Sequence, residues 1–196
     1  MTKRAFDLAA ASVGLILLAP LFATIALWIK VDSRGPVFYR QQRVGRHGVL
    51  FNIYKFRTMA ARAHDGRQLT VGADPRITRA GRFLRHYKLD ELPQLINVVQ
   101  GTMSLVGPRP EVPRYVACYP PQMRELVLSV APGVTDWASI LYKEESAILG
   151  RAADPERAYI ETILPAKLEY YARYVRERNF WTDLRIIFRT LVALAR

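Results

Sequence analysis

The sequence predicts a small α+β domain that is mostly helical and associated with a membrane. Three observations support this fold class. Residues 8–29 carry no charged side chain, two segments rich in strand-forming residues flank a glycine-containing loop, and the remaining apolar residues recur largely at helical spacing. At 196 residues, the chain has the length expected for one domain.

The N-terminal apolar segment is long enough to cross about 30 Å of hydrocarbon. Pro20 stands near its middle, where proline removes a backbone hydrogen bond and favours a kink or break. Basic residues flank both ends, with Lys3 and Arg4 before the segment and Lys30 and Arg34 after it. Because cytoplasmic flanks attract basic residues, this pattern favours a re-entrant helix–break–helix that enters and leaves on one side. A kinked span and a buried soluble helix are the alternatives.

The charge of the chain indicates an anionic partner. It contains 29 Lys and Arg against 17 Asp and Glu, a net charge of +12. Nucleic acid, an anionic membrane surface and a phosphorylated substrate all meet this requirement. We expect no nucleic acid, because the basic residues are spread over several elements and no nucleic-acid-binding motif occurs. The single Cys118 and three widely separated histidines also argue against a zinc site.

The segments 37–44 and 49–57 predict a β-hairpin closed by the four residues GRHG at 45–48. The two-residue period of a strand places Lys55 and Arg57 on one face. A helical pattern follows from residue 74 onward, with a basic residue at every third position. These arginines fit either a solvated helix face or a surface that binds phosphates or lipid headgroups: Arg76, Arg79, Arg82 and Arg85.

Two adjacent carboxylates, Asp90 and Glu91, stand just before a predicted helix whose first turn contains Pro93. Acidic residues are common at this place for structural reasons, since they cap the helix and interact with its dipole. Further along, Arg109 lies between two prolines, which fix the direction of its side chain. Such an arginine suits bidentate phosphate recognition, and a surface turn with an incidental arginine is the alternative.

The chain is expected to form a single domain with three parts. Residues 1–33 form the re-entrant membrane helix, residues 34–178 the central part that contains the candidate site residues, and residues 179–196 a C-terminal amphipathic helix. The terminal helix carries basic residues on one face and apolar residues on the other, which suits a membrane interface or the core of a soluble domain. The apolar face comprises Phe180, Trp181, Leu184, Ile187, Phe188, Leu191 and Val192.

Several segments together resemble the bacterial sugar transferase family, the monotopic phosphoglycosyl transferases. They occur in the order of the family and cover nearly the whole chain. Any one of them is a weak signal, whereas the ordered set is specific. The segments are KRAFD at 3–7, GPVF at 35–38, YKFRTM at 54–59, LDELPQ at 89–94, MSLVGPRP at 103–110 and PGVT at 132–135.

The resemblance implies transfer of a sugar 1-phosphate from a UDP-sugar to a polyprenyl phosphate, typically undecaprenyl phosphate. Asp90 would be the nucleophile that forms a covalent aspartyl phospho-sugar and releases UMP, and Glu91 would hold Mg²⁺. Lys55, Arg85 and Arg109 match basic positions of the family's site. The resemblance also implies the bacterial inner (cytoplasmic) membrane, an active site on its cytoplasmic face, and a role in lipopolysaccharide, exopolysaccharide or other glycoconjugate assembly. A non-enzymatic adaptor that binds anionic lipids through basic residues is the alternative.

The sequence departs from the family pattern in four places. Ala19 precedes Pro20 where many relatives have serine, Lys88 replaces a small hydroxyl residue, and Thr102 replaces an aspartate. The segment 136–145 also differs from the family pattern after PGVT. The sequence therefore does not identify the sugar or the glycan pathway. It also leaves the oligomeric state open, and a homo-oligomer is one of the options.

Overall fold

The computed structural model describes residues 2–60, 69 and 74–194. It is an α+β structure, as the sequence predicts. The helices are α1 (Thr2–Asp32), α2 (Arg79–His86), α3 (Gln94–Gln100), α4 (Pro113–Val116), α5 (Pro121–Leu128), α6 (Trp137–Leu141), α7 (Glu145–Leu149), α8 (Pro155–Ala158), α9 (Leu164–Glu177) and α10 (Phe180–Leu194). The strands are β1 (Phe38–Val44), β2 (Leu50–Phe56), β3 (Ser104–Val106) and β4 (Gly133–Thr135).

The predicted β-hairpin is confirmed. Strands β1 and β2 pair antiparallel, with Phe38 opposite Phe56 and Val44 opposite Leu50. A second, parallel pair between β3 and β4 was not predicted, because each strand has only three residues and its partner is distant in sequence. The two segments approach so closely that a Cβ on Gly133 would lie 2.1 Å from the backbone nitrogen of Gly107.

Helix α1 is one helix from Thr2 to Asp32, with Pro20 exposed in its interior. Its length and composition are sufficient to cross a membrane. Near its middle, Ile16 and Leu17 are each 73% exposed, so this apolar stretch is not covered by the rest of the described chain. A helix–break–helix path at Pro20 stays a prediction.

The N-terminal end of α1 is fastened to the body of the protein by polar contacts. Lys3 Nζ donates to Asp183 Oδ2 of α10 at 2.6 Å, and the Ser104 hydroxyl of β3 donates to Asp7 Oδ2 at 2.7 Å. Arg4 donates to two backbone carbonyls at the end of α3. Asp7 and Asp183 are both buried. This end of the helix is therefore part of the folded body.

The C-terminal end of α1 packs against the same body at another place. Ile29 is buried in an apolar cluster with Phe56 of β2 and Leu84 of α2. Arg57 follows β2 and is only 4% exposed, and its guanidinium donates to the Ser33 carbonyl at 2.7 Å. Both ends of α1 thus lie against one folded unit, while its middle stands exposed.

The largest apolar cluster surrounds α9 and contains Leu164, Leu168 and Tyr171 of this helix. Helix α10 buries Asp183 and Ile186 against the body. Its outer face exposes apolar side chains, as the amphipathic pattern indicates; these are Phe180, Trp181, Phe188 and Leu191. The last two residues of the predicted terminal helix, 195 and 196, lie outside the described residues.

Candidate active site

Asp90 and Glu91 lie in a short 3₁₀ turn, Leu89–Glu91, between α2 and α3. Pro93 follows and precedes the first residue of α3, so the sequence placed both carboxylates correctly before a helix. Lys88 stands directly before the turn with a φ of 54°, in the left-handed region that non-glycine residues rarely adopt. The backbone is therefore bent sharply at the residue that introduces the two carboxylates.

Glu91 is held by two basic side chains. Lys55 Nζ of β2 donates to Glu91 Oε1 at 2.7 Å, and Arg109 Nη1 donates to Glu91 Oε2 at 3.0 Å. Arg109 Nη2 also donates to Oε1, which makes the contact bidentate. Burial alone would raise the pKa of Glu91, but the charges and hydrogen bonds of Arg109 and Lys55 hold this pKa well below its usual value. Glu91 is therefore ionised at neutral pH.

Asp90 has a different environment, although it is the neighbouring residue. It is 8% exposed, and no side chain in the described part of the chain donates a hydrogen bond to its carboxylate. Burial raises the pKa of Asp90 and the negative charge of Glu91 raises it further, while Lys55, Arg85 and Lys88 act in the opposite direction. Asp90 is thus a poorly solvated carboxylate among cations, with its oxygens not engaged by a donor.

Arg85 reaches the site from α2. Its Nε donates to the Thr58 hydroxyl at 2.9 Å, and its charge acts on Asp90. The helix must pass very close to the chain after β2, because a Cβ on Gly81 would lie 2.0 Å from the Thr58 carbonyl oxygen. A glycine at this position therefore allows α2 to bring Arg85 to the site.

Arg109 is fixed by its neighbours in the chain. The carbonyl of Pro110 accepts a hydrogen bond of 3.0 Å from Arg43 Nη1 of β1. Pro108 and Pro110 are both buried, and the Pro108 carbonyl accepts a bond of 2.9 Å from the backbone N–H of Gly133. The Arg109 side chain consequently points at Glu91, and the interpretation as an incidental arginine on a surface turn is wrong.

Behind Arg109 lies a second buried cluster that sequence reasoning missed. Glu111 Oε1 accepts hydrogen bonds from Tyr159 at 2.6 Å and from Lys167 at 3.3 Å, and Lys167 also donates to Glu145 at 3.0 Å. Arg43 lies 3.5 Å from the other oxygen of Glu111. Burial alone would raise the pKa of Glu111. The charges of Lys167 and Arg43 outweigh burial, so the pKa lies below its usual value. The available signal was an acidic residue two positions after Arg109, but the partners of Glu111 are distant in sequence.

We refer to these two groups by fixed names. The site cluster consists of Lys55, Arg85, Asp90, Glu91 and Arg109. The support cluster consists of Arg43, Glu111, Glu145, Tyr159 and Lys167. A separate cavity of about 570 Å³ lies between the hairpin loop and the start of α1, and no member of the site cluster lines it. The site cluster is therefore separate from this cavity, and its charges are its distinguishing feature.

A family model described as bacterial sugar transferase matches residues 1–196 of the chain. The chain belongs to the bacterial sugar transferase family. An undecaprenyl-phosphate glucose phosphotransferase from Komagataeibacter xylinus is 40% identical over 97% of this chain and 35% of its own length.

Two relatives match over more of their own length. A UDP-glucose:undecaprenyl-phosphate glucose-1-phosphate transferase from Caulobacter vibrioides is 36% identical, over 99% of this chain and 70% of its own length. The exopolysaccharide production protein ExoY from Rhizobium meliloti is 34% identical, over 99% of this chain and 85% of its own length. The chain spans less than half the length of several of its curated relatives, and 35–42% of three of them.

The donor atoms of the site cluster fit a magnesium ion that is shared with a substrate. Mg²⁺ is usually held by one or two carboxylates together with substrate phosphates. This member of the family places two carboxylates side by side, and no group of three or more potential ligands occurs among the described His, Cys, Asp and Glu residues. Because Lys55 and Arg109 engage both oxygens of Glu91, an ion bound there would replace at least one of these contacts.

The structure thus brings together the residues that the sequence singled out. Glu91 contacts Lys55 and Arg109 directly, and Asp90 and Arg85 lie beside them. Arg57, which the strand period placed on the face of Lys55, serves instead to hold the end of α1. The chemical roles assigned to the site residues stay predictions.

Proposed function

We propose that this chain transfers a sugar 1-phosphate from a UDP-sugar to a polyprenyl phosphate. The observation that carries the proposal is the contrast between two adjacent carboxylates. Glu91 is fixed by Lys55 and Arg109, whereas Asp90 accepts no hydrogen bond from any described side chain although three basic residues act on it. A carboxylate left without donors but surrounded by cations is suited to attack an anionic phosphorus centre. The names of the relatives supply the substrate classes.

In the first step, an Asp90 carboxylate oxygen attacks the sugar-bearing phosphorus of the UDP-sugar. The bond between this phosphorus and the bridging oxygen breaks, and UMP leaves with the electron pair. Asp90 then carries the phospho-sugar as an acyl phosphate. Burial favours this reaction, because a poorly hydrated carboxylate loses little solvation when it becomes neutral in the covalent intermediate.

The basic residues of the site cluster reduce the repulsion between the nucleophile and the diphosphate. Arg85 and Lys55 lie where they can stabilise negative oxygens next to Asp90, and Arg109 is oriented by Glu91 and by the Pro110 segment. Glu91, with Asp90 beside it, would hold Mg²⁺. The ion, when bound, supplies further neutralisation of the phosphate oxygens.

In the second step, a phosphate oxygen of the polyprenyl phosphate attacks the same phosphorus. The bond to Asp90 breaks, the carboxylate is regenerated, and a polyprenyl diphosphate sugar is formed. The covalent intermediate allows the soluble donor to leave as UMP before the lipid acceptor reacts. One site can therefore serve two bulky anionic substrates in turn.

We also place the protein in the bacterial inner membrane, with its site on the cytoplasmic face. The two ends of α1 contact the same folded unit, at Lys3 and Asp7 on one side and at Ile29 and Ser33 on the other. This arrangement supports a re-entrant path, because the exposed apolar middle is suited to lipid while both ends contact the same folded unit. The outward apolar face of α10 supports an interfacial position next to anionic lipids.

The proposal is tested by measuring UMP release and covalent labelling. We expect purified protein in detergent, with Mg²⁺ and a UDP-sugar labelled in the sugar, to release UMP and to retain the label on the chain until polyprenyl phosphate is added. Asp90→Asn should abolish labelling and lower UMP release by at least about 10³-fold. Asp154→Asn is the matched control, because Asp154 is an exposed helix cap that asparagine can replace.

Two results would contradict the proposal. If Asp90→Asn kept normal turnover, Asp90 would not be the nucleophile. If the wild-type chain released no UMP with any UDP-sugar yet bound anionic vesicles in a salt-sensitive way, regardless of substitutions at Asp90 and Glu91, the adaptor interpretation would replace the enzymatic one.

A further inference from the structure

An exposed aromatic surface connects the membrane helix with the candidate active site. Trp28 of α1 and Phe83 of α2 have ring centroids 5.3 Å apart, and those of Phe83 and Tyr87 are 4.7 Å apart. The three residues are 39%, 45% and 46% exposed, respectively. On α1 this surface continues into Leu27 and Val31, which are also exposed. The result is a continuous apolar strip that belongs to two different helices.

The strip ends next to the nucleophile. Tyr87 is the C-cap of α2, and the turn that contains Asp90 begins two residues later. The side chain of Arg85 extends from the same turn of α2 in another direction. Its Nε donates a hydrogen bond to the Thr58 hydroxyl, and its charge acts to lower the pKa of Asp90. Helix α2 therefore presents an aromatic face to the outside and a basic side chain to the site.

This arrangement matches the chemistry of a lipid phosphate. Such a molecule has a long apolar chain and an anionic head, and the head must reach Asp90 while the chain stays out of water. Exposed aromatic side chains bind apolar chains well at a membrane interface. The exposed Arg79 and Arg82 on the same helix add positive charge beside the strip. An apolar surface that starts on the membrane helix and ends at a basic group fits both parts of the molecule.

We infer that the strip of Trp28, Phe83 and Tyr87 binds the polyprenyl chain of the acceptor and leads its phosphate to Arg85 and Asp90. This inference rests on the proposed function and adds the acceptor's binding surface to it. The exposed aromatic residues of α10 offer a comparison. Phe180 contacts Phe6 at the opposite end of α1, and Trp181, which is 74% exposed, contacts Phe180. They have the same chemistry as the strip but lie at the other end of α1.

The test compares two acceptors of different chain length, farnesyl phosphate and undecaprenyl phosphate, with the full chain in one detergent. The wild-type chain should use the longer acceptor with a higher kcat/KM, because more of the chain contacts the strip. Phe83→Gln should reduce this preference about tenfold, mainly through the KM of the longer acceptor. Phe83→Leu should retain most of it, because the surface stays apolar. Thermal unfolding of both variants checks that the fold is unchanged.

Trp181→Gln is the matched control, and it should leave the preference for the longer acceptor unchanged. The inference is overturned if Phe83→Gln and a Tyr87→Gln variant both keep the wild-type preference. It is also overturned if Trp181→Gln lowers the preference equally, since the effect would then come from general membrane association. Failure of the proposed function gives a different result, namely no transfer by the wild-type chain to either acceptor.

Discussion

The site cluster and the support cluster each contain two carboxylates among basic side chains, yet they differ in how the carboxylates are bound. In the support cluster, Glu111 accepts from Tyr159 and Lys167, and Glu145 accepts from Lys167. In the site cluster, Glu91 likewise accepts hydrogen bonds from two basic side chains, Lys55 and Arg109. Asp90 receives no hydrogen bond from the described side chains. The difference leaves Asp90 as the one carboxylate of the two clusters that accepts no hydrogen bond from a described side chain, which is the observation behind the role we propose for it.

The pKa shifts follow the same division. Glu91 and Glu111 are both buried, and in each case neighbouring cations overcome the effect of burial and lower the pKa. Asp90 is the exception, because burial and the charge of Glu91 raise its pKa. A buried carboxylate with a full set of hydrogen bonds stabilises the fold, whereas the raised pKa of Asp90 means that its ionised form costs stability.

After the loss expected for Asp90→Asn, the next largest effect should follow from removing the charge of Glu91. Glu91→Gln leaves Lys55 and Arg109 without their counter-charge and removes a carboxylate from the proposed magnesium site. We expect UMP release to fall by about 10²–10³-fold. Glu161→Gln is the control, because Glu161 forms an exposed pair with Arg157. Near-normal UMP release by Glu91→Gln would contradict the proposal that the site cluster serves the reaction while the support cluster serves stability.

The support cluster should respond in stability before it responds in activity. Glu111→Gln leaves Lys167 buried without one of its two carboxylates, so we expect the free energy of unfolding to fall by about 3–5 kcal/mol. Activity per folded molecule at low temperature should stay within about tenfold of wild type. Thermal unfolding and UMP release are measured on one preparation, with the exposed Glu177→Gln as reference. A loss of activity without a loss of stability would assign Glu111 to the chemistry.

The pH profile of the first step should report Asp90. The carboxylate must be ionised to attack, so the rate of UMP release should fall as the pH drops through a value above the ordinary aspartate pKa of about 3.9. Lys55→Met removes a charge that lowers the pKa of Asp90, and the acid limb should therefore move to higher pH. Initial rates of UMP release, measured at a series of pH values, give the pH profiles of the wild-type chain and of Lys55→Met. An acid limb that Lys55→Met leaves in place would show that another group titrates.

The smallest effect is expected in the opposite direction, as a gain in stability. Asp90→Asn removes a buried charge whose ionised form is disfavoured in the folded protein, so the inactive variant should be more stable by about 0.5–2 kcal/mol at neutral pH. The raised pKa of Asp90 determines the direction of this change in the free energy of unfolding. Ionisation of Asp90 costs stability as the pH rises through this pKa, so the gain should vanish at low pH, where wild-type Asp90 is protonated. Unfolding curves at several pH values measure it.

Local signals in the sequence were sufficient for the parts of the site that lie close together in the chain. The strand alternation gave the hairpin that carries Lys55, and the residues around Pro93 placed Asp90 and Glu91 before α3. The prolines beside Arg109 indicated a fixed arginine. These features depend on neighbouring residues and on backbone restrictions, which a single sequence contains.

Long-range pairing could not be read in the same way. Glu111 and Lys167 are 56 positions apart, and Lys3 and Asp183 are 180 positions apart, so no local pattern joins them. Arg57 was grouped with Lys55 by the strand period, but it lies beyond the last residue of β2 and turns toward α1. Charge and spacing identify the candidates, whereas the packing of distant elements decides their partners.

The two anchored ends of α1 have a consequence for attempts to obtain a soluble fragment. A chain that starts after residue 33 would uncover Phe56 and Leu84, which the helix covers, and would leave Asp183 and Arg57 without their partners from the helix. Deleting a membrane segment often yields a soluble domain, but here the deletion would also remove part of the core. Helix α1 and the body that it packs against therefore form one folding unit, and we expect truncation after residue 33 to destabilise the protein rather than to yield a soluble domain.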